Sequence, residues 1–406
     1  MNSVLITSPI GVLAALVAVV SFWFWLEKKT QWKIFEFLPP LIFIYASPVL
    51  LSNTGIIPFK SEAYDFLRQY GLPVFIVLML IKVDVVSAVR IMGKGVLVML
   101  LGSAGVVIGG VFAYWLGQKL SLELETGTIF PLAVESWKAF GTLAGSWIGG
   151  TGNMTAAHSA LEGTGVDMTM AAAADQMVYL VWLPLLLGCK VFAERFNKWA
   201  RVSEGRLAQM EQAAAEFDNR ESAPSMTQLL YLALLALGFT WISLALADIL
   251  PPVVVSGATV ITASTWVILI VTTLSLMASV TPARHLPAAQ SIAMVIIYIY
   301  VARVGATMNL GEIDWNQTAG FVAMAYVWIA IHGVFILAGA WLFKVDIHTL
   351  AIASAANIGG AASAPIVAAH HRESLVPASI LMALIGYALG NYLAILTGRL
   401  AQLIGT

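Results

Sequence analysis

Charge is scarce in this sequence. Of 406 residues only 11% are Asp, Glu, Lys or Arg, against roughly 25% in a soluble globular domain. With 60% hydrophobic residues and a mean hydropathy of +0.87, the chain cannot keep its surface wetted, so lipid is its solvent. The net charge of −1 gives no electrostatic ground for a nucleic-acid partner. Cysteine is nearly absent: Cys189 stands alone, which excludes an intrachain disulfide and a CxxC-type metal or redox site. It reads as an inert helix-end residue. No HExxH and no nucleophile–base pairing is evident, so neither an enzyme nor a cofactor is expected. The first 26 residues lack the basic start and small-residue cleavage site of a secretory signal and read as a retained span.

What is present is a series of apolar runs. A spanning helix needs about 20 mostly apolar residues. Full spans are expected at 4–26, 37–51, 72–86, 95–116, 168–187, 229–247, 257–280, 287–304, 320–343 and 375–395. The second and third are short and must borrow neighbouring polar positions. Two further apolar stretches, 139–161 and 348–369, are interrupted at their centres by small and polar residues. The one long hydrophilic stretch follows residue 189. Its first half carries Lys190, Arg195, Lys198, Arg201 and Arg206 against Glu194 and Glu204, with Gly205 as its only glycine, so helix is expected to continue into it.

The chain therefore divides into a first repeat (1–189, with a broken segment at 138–164), a hydrophilic cytoplasmic linker (190–226) and a second repeat (227–406, with a broken segment at 347–370). Ser146-Trp-Ile-Gly-Gly-Thr-Gly-Asn153 aligns with Ala356-Asn-Ile-Gly-Gly-Ala-Ala-Ser363, and at the same offset Gly188 falls on Gly398. Paired glycine-interrupted segments point to a transporter binding site. Basic residues mark the cytoplasmic loops: Lys28, Lys29 and Lys33 after the first span, Arg90 and Lys94 after the third. If the broken segments cross fully, the basic linker falls outside. If each is a re-entrant hairpin, the linker falls inside, with Arg284, His285, Lys344, His370, His371 and Arg372. Glu123, Glu125, Glu135, Glu312 and Asp314 then fall outside, and the halves are inverted. Lys138 to Ile148 as helix rises about 16 Å, half of a hydrocarbon core of about 30 Å. Hairpins are the preferred reading, with broken crossing helices as the alternative.

Backbone that leaves the helix inside a bilayer must be buried in protein or line a wet cavity. Gly149, Gly150 and Gly152 let the chain approach a ligand closely, as do Gly359 and Gly360 in the second copy, where Asn357 and Ser363 add polar groups. Asn391, with Tyr387, faces the second segment. These residues form the candidate substrate site, since N–H groups at half-helix starts favour a carboxylate. Two other readings compete: tight helix packing through small residues, as expected of Gly105–Gly109 and Gly386–Gly390, and for Asp175 a purely structural ion pair.

Asp175 lies about two turns inside a span, where an ionisable group costs at least ~2.5 kcal/mol and defaults to function. With Asn153, Thr151 and Gln176 it forms the candidate ion site, with Asp175, Asn153 and Thr151 as Na⁺ ligands or Asp175 as a proton carrier. Lys82 and Arg303 either snorkel to the interface or offset Asp175. His332 reads as a hydrogen-bonded packing residue before a proton relay. His158 with Glu162 does not resemble a zinc site.

At Leu51-Ser-Asn-Thr-Gly-Ile56, Ala144-Gly-Ser-Trp-Ile-Gly-Gly150 with Asn153, the Ala174–Asp175 pair, Ser354-Ala-Ala-Asn-Ile-Gly-Gly360 and Gly386-Tyr-Ala-Leu-Gly390, the sequence resembles a family of bacterial and plant membrane proteins named as a domain of unknown function. That family is grouped with the cation–proton antiporter and anion-transporter superfamily, beside sodium–bile-acid, sodium–glutamate and sodium–citrate symporters. The resemblance implies an all-α, polytopic, inverted-repeat fold with core and scaffold domains, often a homodimer. The tip Gly360-Ala-Ala-Ser363 lacks the extra glycine and asparagine of the first, so the two ends of the site can differ in task. The expected function is Na⁺- or H⁺-coupled symport of a small carboxylate, amino acid or short-peptide-like solute. The bacterial cytoplasmic (inner) membrane is the expected location. A cation–proton antiporter is the alternative, and a membrane enzyme or receptor is a more distant one.

Overall fold

Glycine and helix-capping residues cut the apolar runs into helices, and the computed structural model places them as follows. It describes residues 4–32, 35, 40–123, 132–203, 205, 223–255, 258–312 and 314–405. The first half contains α1 (Pro9–Thr30), α2 (Pro40–Asn53) and α3, which opens as Glu62–Phe66, passes through a π-helical Leu67–Gly71 and continues as Leu72–Leu80. Next come a short α4 (Val85–Met92), α5 (Lys94–Glu123), α6 (Trp137–Gly149), α7 (Thr151–Ala160) and α8 (Gly165–Gly188). A 3-10 turn leads into α9 (Ala193–Trp199). The second half contains α10 (Met226–Ile249), α11 (Ala263–Ser279), α12 (Ala289–Ala306), α13 (Trp315–Phe343), α14 (Ile347–Asn357), α15 (Gly360–His371) and α16 (Val376–Gly405). Among the described residues, seven helices are long and apolar enough to cross a membrane: α1, α5, α8, α10, α12, α13 and α16.

Two expectations need correction. The third span is not 72–86: its helix begins at Glu62 and stops at Leu80, because Asp84 caps α4 instead, accepting from the Ser87 amide at 3.0 Å. The run at 257–280 is not helical throughout. A two-stranded antiparallel hairpin, β1 (Val253–Val255) with β2 (Ala258–Ile261), precedes α11, whose first turn Thr262 caps; it is a small addition to a predominantly α-helical chain. As expected, helix continues beyond residue 189 into the linker, through a 3-10 turn and α9 to Trp199, before Arg201 turns left-handed (φ 54°). Residues 204 and 206–222 of the linker, and Glu125, lie outside the described residues.

Both broken segments fold back on themselves. Gly141 in α6 packs against Leu161 beyond the end of α7; a straight helix would hold them about 30 Å apart. In the second segment His348 Nδ1 and His371 Nδ1 lie 3.0 Å apart, one near the start of α14 and the other at the end of α15. The turns require glycine: Gly150 has φ 79°, Gly359 φ 115° and Gly360 φ 59°, values costly for residues with a Cβ. Small residues also set the packing. A Cβ on Gly145 would meet Asn153 O at 2.5 Å, and Gly386 receives the Ile148 carbonyl of α6. Gly105 and Gly109 admit Phe335 and Trp328, so that α5 and α13 lie close together.

The helices sort into two groups. α1, α2, α3, α10, α11 and α12 pack on one another, while α5, α13, α16 and α8 enclose the two hairpins. The hairpins enter from opposite ends. The open end of α6–α7 lies against the end of α16, where Gly141 meets Gly398. The open end of α14–α15 lies against the end of α8, where His371 Nε2 meets Leu186 O at 2.8 Å.

Candidate functional site

The hairpin tips meet. A Cβ on Gly360 would lie 3.4 Å from Gly150 Cα, and the Tyr387 ring of α16 touches both glycines. The second helix of each hairpin, α7 and α15, begins at this contact, and the glycines at the N-caps, Gly150 and Gly359, have no side chain with which to cap the first N–H groups. Of those groups, the Ala361 amide approaches Tyr387 Oη at 3.4 Å. Two helix starts with glycine at the N-cap converge here, and each favours negative charge.

Asp175 sits beside the tips. Its Oδ2 accepts from Ser146 Oγ at 3.0 Å and its Oδ1 from Trp147 Nε1 at 2.9 Å, both on α6. Trp147 is fully buried and packs at a tilt on Trp328, ring centroids 4.7 Å apart, and the Trp328 indole N–H donates to Val106 O at 2.7 Å. The carboxylate is thus held by two neutral donors on a rigid support. One face of α8 continues the connection. Tyr179 Oη donates to Ser363 Oγ at 2.7 Å, and Trp182 Nε1 to Ser354 Oγ at 3.0 Å, so α8 holds both hairpins.

Two cavities of about 340 Å³ each lie where the two helix groups meet, and Thr151, Asp175 and Gln176 line both. The first includes Gly150, Gly152, Gly359 and Ser363 of the tips, with Tyr179 and Tyr387, and across from them Phe75, Met79, Gln290 and Tyr298. The second extends from the same three residues toward Tyr45, Met168 and Val304. The Gln176 and Gln290 carboxamides and the Thr151 and Tyr298 hydroxyls make no hydrogen bond to the described residues, so they are free to meet a ligand. A concave apolar site with a few convergent polar groups is what small-molecule recognition needs.

Other candidates lie elsewhere. Asn153 donates to Tyr387 O at 2.9 Å and to Asn391 Oδ1 at 2.8 Å, and Asn391 in turn donates to Thr272 Oγ1 at 2.8 Å. This chain ties the first tip to α16 and α11 and turns Asn153 away from Asp175. Asn357 is buried against Ser103 on α5. Gly149 packs on Asn153 and the Gly386 carbonyl. Neither basic residue offsets Asp175: Lys82 Nζ donates to Leu286 O at 3.3 Å and Arg303 Nε to Tyr64 O at 3.2 Å. His332 is bonded at both ring nitrogens, to Gly102 O and Ser354 Oγ, each at 3.0 Å. Among the described residues no group of three or more His, Cys, Asp or Glu could hold a metal ion.

Sequence reasoning missed Ser146 and Trp147 as the residues that hold Asp175. It also missed Gln290 and Tyr298, whose placement opposite the tips no local pattern reveals.

The chain matches the family described as "Protein of unknown function (DUF819)" over residues 14–403. It belongs to that family. A relative, the "Uncharacterized membrane protein YjcL" of Bacillus subtilis (strain 168), is 24% identical over 414 residues, covering 98% of each chain. DUF819 membership, the likeness to a membrane protein along the whole chain and the long apolar helices make this an integral, multi-pass membrane protein.

Proposed function

We propose that this chain is a secondary active transporter, a symporter that moves a small carboxylate, amino acid or short-peptide-like solute with Na⁺ or H⁺. The observation that carries the reading is the contact of two hairpin tips, Gly150 on Gly360, beside Asp175 and between two helix groups. Irregular backbone at mid-membrane belongs where it lines a cavity, and matched broken segments are the mark of inverted-repeat transporters. In this reading α1–α3 and α10–α12 are the scaffold, and the remaining spans with both hairpins are the moving core. The starts of α7 and α15 receive the solute's carboxylate. Asp175, with Thr151 and Gln176, takes the coupling ion. Because Trp147 and Ser146 hold Asp175, occupancy of the carboxylate bears on the hairpin that also touches the solute. Rocking of core against scaffold then exposes the site to each side in turn. In the same reading the protein belongs to the bacterial cytoplasmic membrane as a homodimer, with the basic linker on the inner side, as the positive-inside bias favours.

The test is a thermal-stabilisation screen of purified protein with carboxylates, amino acids and short peptides, each with and without Na⁺. A ligand at 100 times its Kd stabilises by about 2.7 kcal/mol. One solute class that raises Tm in an ion-dependent way supports symport. A shift with cations or pH alone supports the antiporter, and no shift under any condition removes the transporter reading.

A further inference from the structure

The second cavity has a chemistry of its own. Apart from that of Thr151, its hydroxyl groups are committed within the protein: Thr155 Oγ1 donates to Gly152 O at 2.8 Å, Thr169 Oγ1 to Gly165 O at 2.8 Å, and Tyr45 Oη lies 2.9 Å from Thr169 Oγ1. The rest of the wall is apolar and includes Met154, Met168, Ala172, Ala173, Val301 and Val304. Polar groups free to bind are confined to one side, the Thr151–Asp175–Gln176 layer shared with the first cavity. The alanine run of α8 explains the space. Ala171 and Ala174 are fully buried in packing, while Ala172 and Ala173 face the chamber and leave it open.

We infer that this chamber is the pocket for an apolar side chain of the transported solute, so that the substrate is a carboxylate or amino acid with a branched or aromatic side chain. The inference rests on the transporter reading above. An apolar cavity of 150 Å³ accepts benzene; this one, at about 340 Å³, has room for an isobutyl or benzyl group. Three methionines in the wall, Met154, Met168 and Met177, are flexible and polarisable, which suits side chains of more than one shape. The solute's polar head stays at the hairpin tips, and its side chain passes the Asp175 layer on the side of Ala172 and Ala173.

The experiment measures Kd for a graded series in Na⁺ and in Na⁺-free buffer: alanine, 2-aminobutyrate, valine, leucine and phenylalanine, with the matching carboxylates that lack the amino group. In the wild type, affinity rises about fourfold for each methylene buried. Ala173→Phe keeps affinity for alanine or its carboxylate analogue and loses at least about tenfold on the leucine- and phenylalanine-sized members, a loss of one filled-pocket side chain. Ala173→Val, a gentler filling, gives the same order with a smaller loss and serves if the Phe variant does not fold. Small members that bind without any gain from apolar size, or an Ala173→Phe loss equal across the series, overturn the chamber alone. Failure of every member to bind the wild type overturns the chamber together with the symport reading on which it stands.

Discussion

Trp147 Nε1 donates to Asp175 Oδ1 at 2.9 Å, across the contact between the first hairpin and α8. The tip glycine Gly150 is three residues further along the same hairpin. Any ion or proton that engages Asp175 competes with a bond that positions the tip, which links ion occupancy to solute contact. Trp147→Phe keeps a ring in the packing and removes the donor. A hydrogen bond to a charged group is worth about 1.5–3 kcal/mol, so the ion dependence of ligand stabilisation changes by roughly tenfold or more. Isothermal titration with and without Na⁺, or across pH, reads it.

Gly150→Leu and Gly360→Leu are expected to abolish ligand binding. Each costs about 1–2 kcal/mol for its positive φ and places carbon where the tips meet Tyr387 and each other. Tm falls by a few degrees while affinity is lost. Unchanged affinity in both variants returns the tips to simple packing.

The hairpins were visible in the sequence because a glycine run flanked by polar residues inside an apolar stretch cannot continue a helix. Asp175 was visible because its burial needs a reason. The roles of Asn153, Asn357 and Asn391 were not, since side-chain direction at a tip depends on which helix closes over it. Here α16 and α5 do so and draw the carboxamides inward. The two-sided character of the alanine run, and Gln290 and Tyr298 opposite the tips, depend on packing between distant spans.

Asp84 provides a pH test away from the site. Burial pushes its carboxyl up, but the Ser87 amide and hydroxyl outweigh that, with Arg284 (3.6 Å) and His285, and hold it below its usual value. A depressed folded-state pKa gives stability that is present above the ordinary carboxylate range and lost as pH falls through the folded value. Asp84→Ala therefore lowers Tm at pH 7, by about 1 kcal/mol of capping energy, and the difference from wild type shrinks in acid. An equal difference at all pH values contradicts this.

If all ten expected spans cross and the two broken segments do not, both termini lie on one side, opposite the basic linker. Reporter fusions after Thr406 and within residues 211–225 read the topology. An external carboxyl terminus with a cytoplasmic linker is expected, and a cytoplasmic carboxyl terminus contradicts the hairpin count.

Uptake into proteoliposomes under an imposed Na⁺ or H⁺ gradient, compared between wild type and Asp175→Asn, tests the central claim most directly. Asparagine keeps the size; its carbonyl oxygen can accept from Trp147 and its amide can donate to the Ser146 hydroxyl, but it carries no charge and no titratable proton. The account predicts gradient-driven accumulation by the wild type and none by a folded, inserted Asp175→Asn that still binds solute. Full gradient-driven uptake by that variant would contradict it.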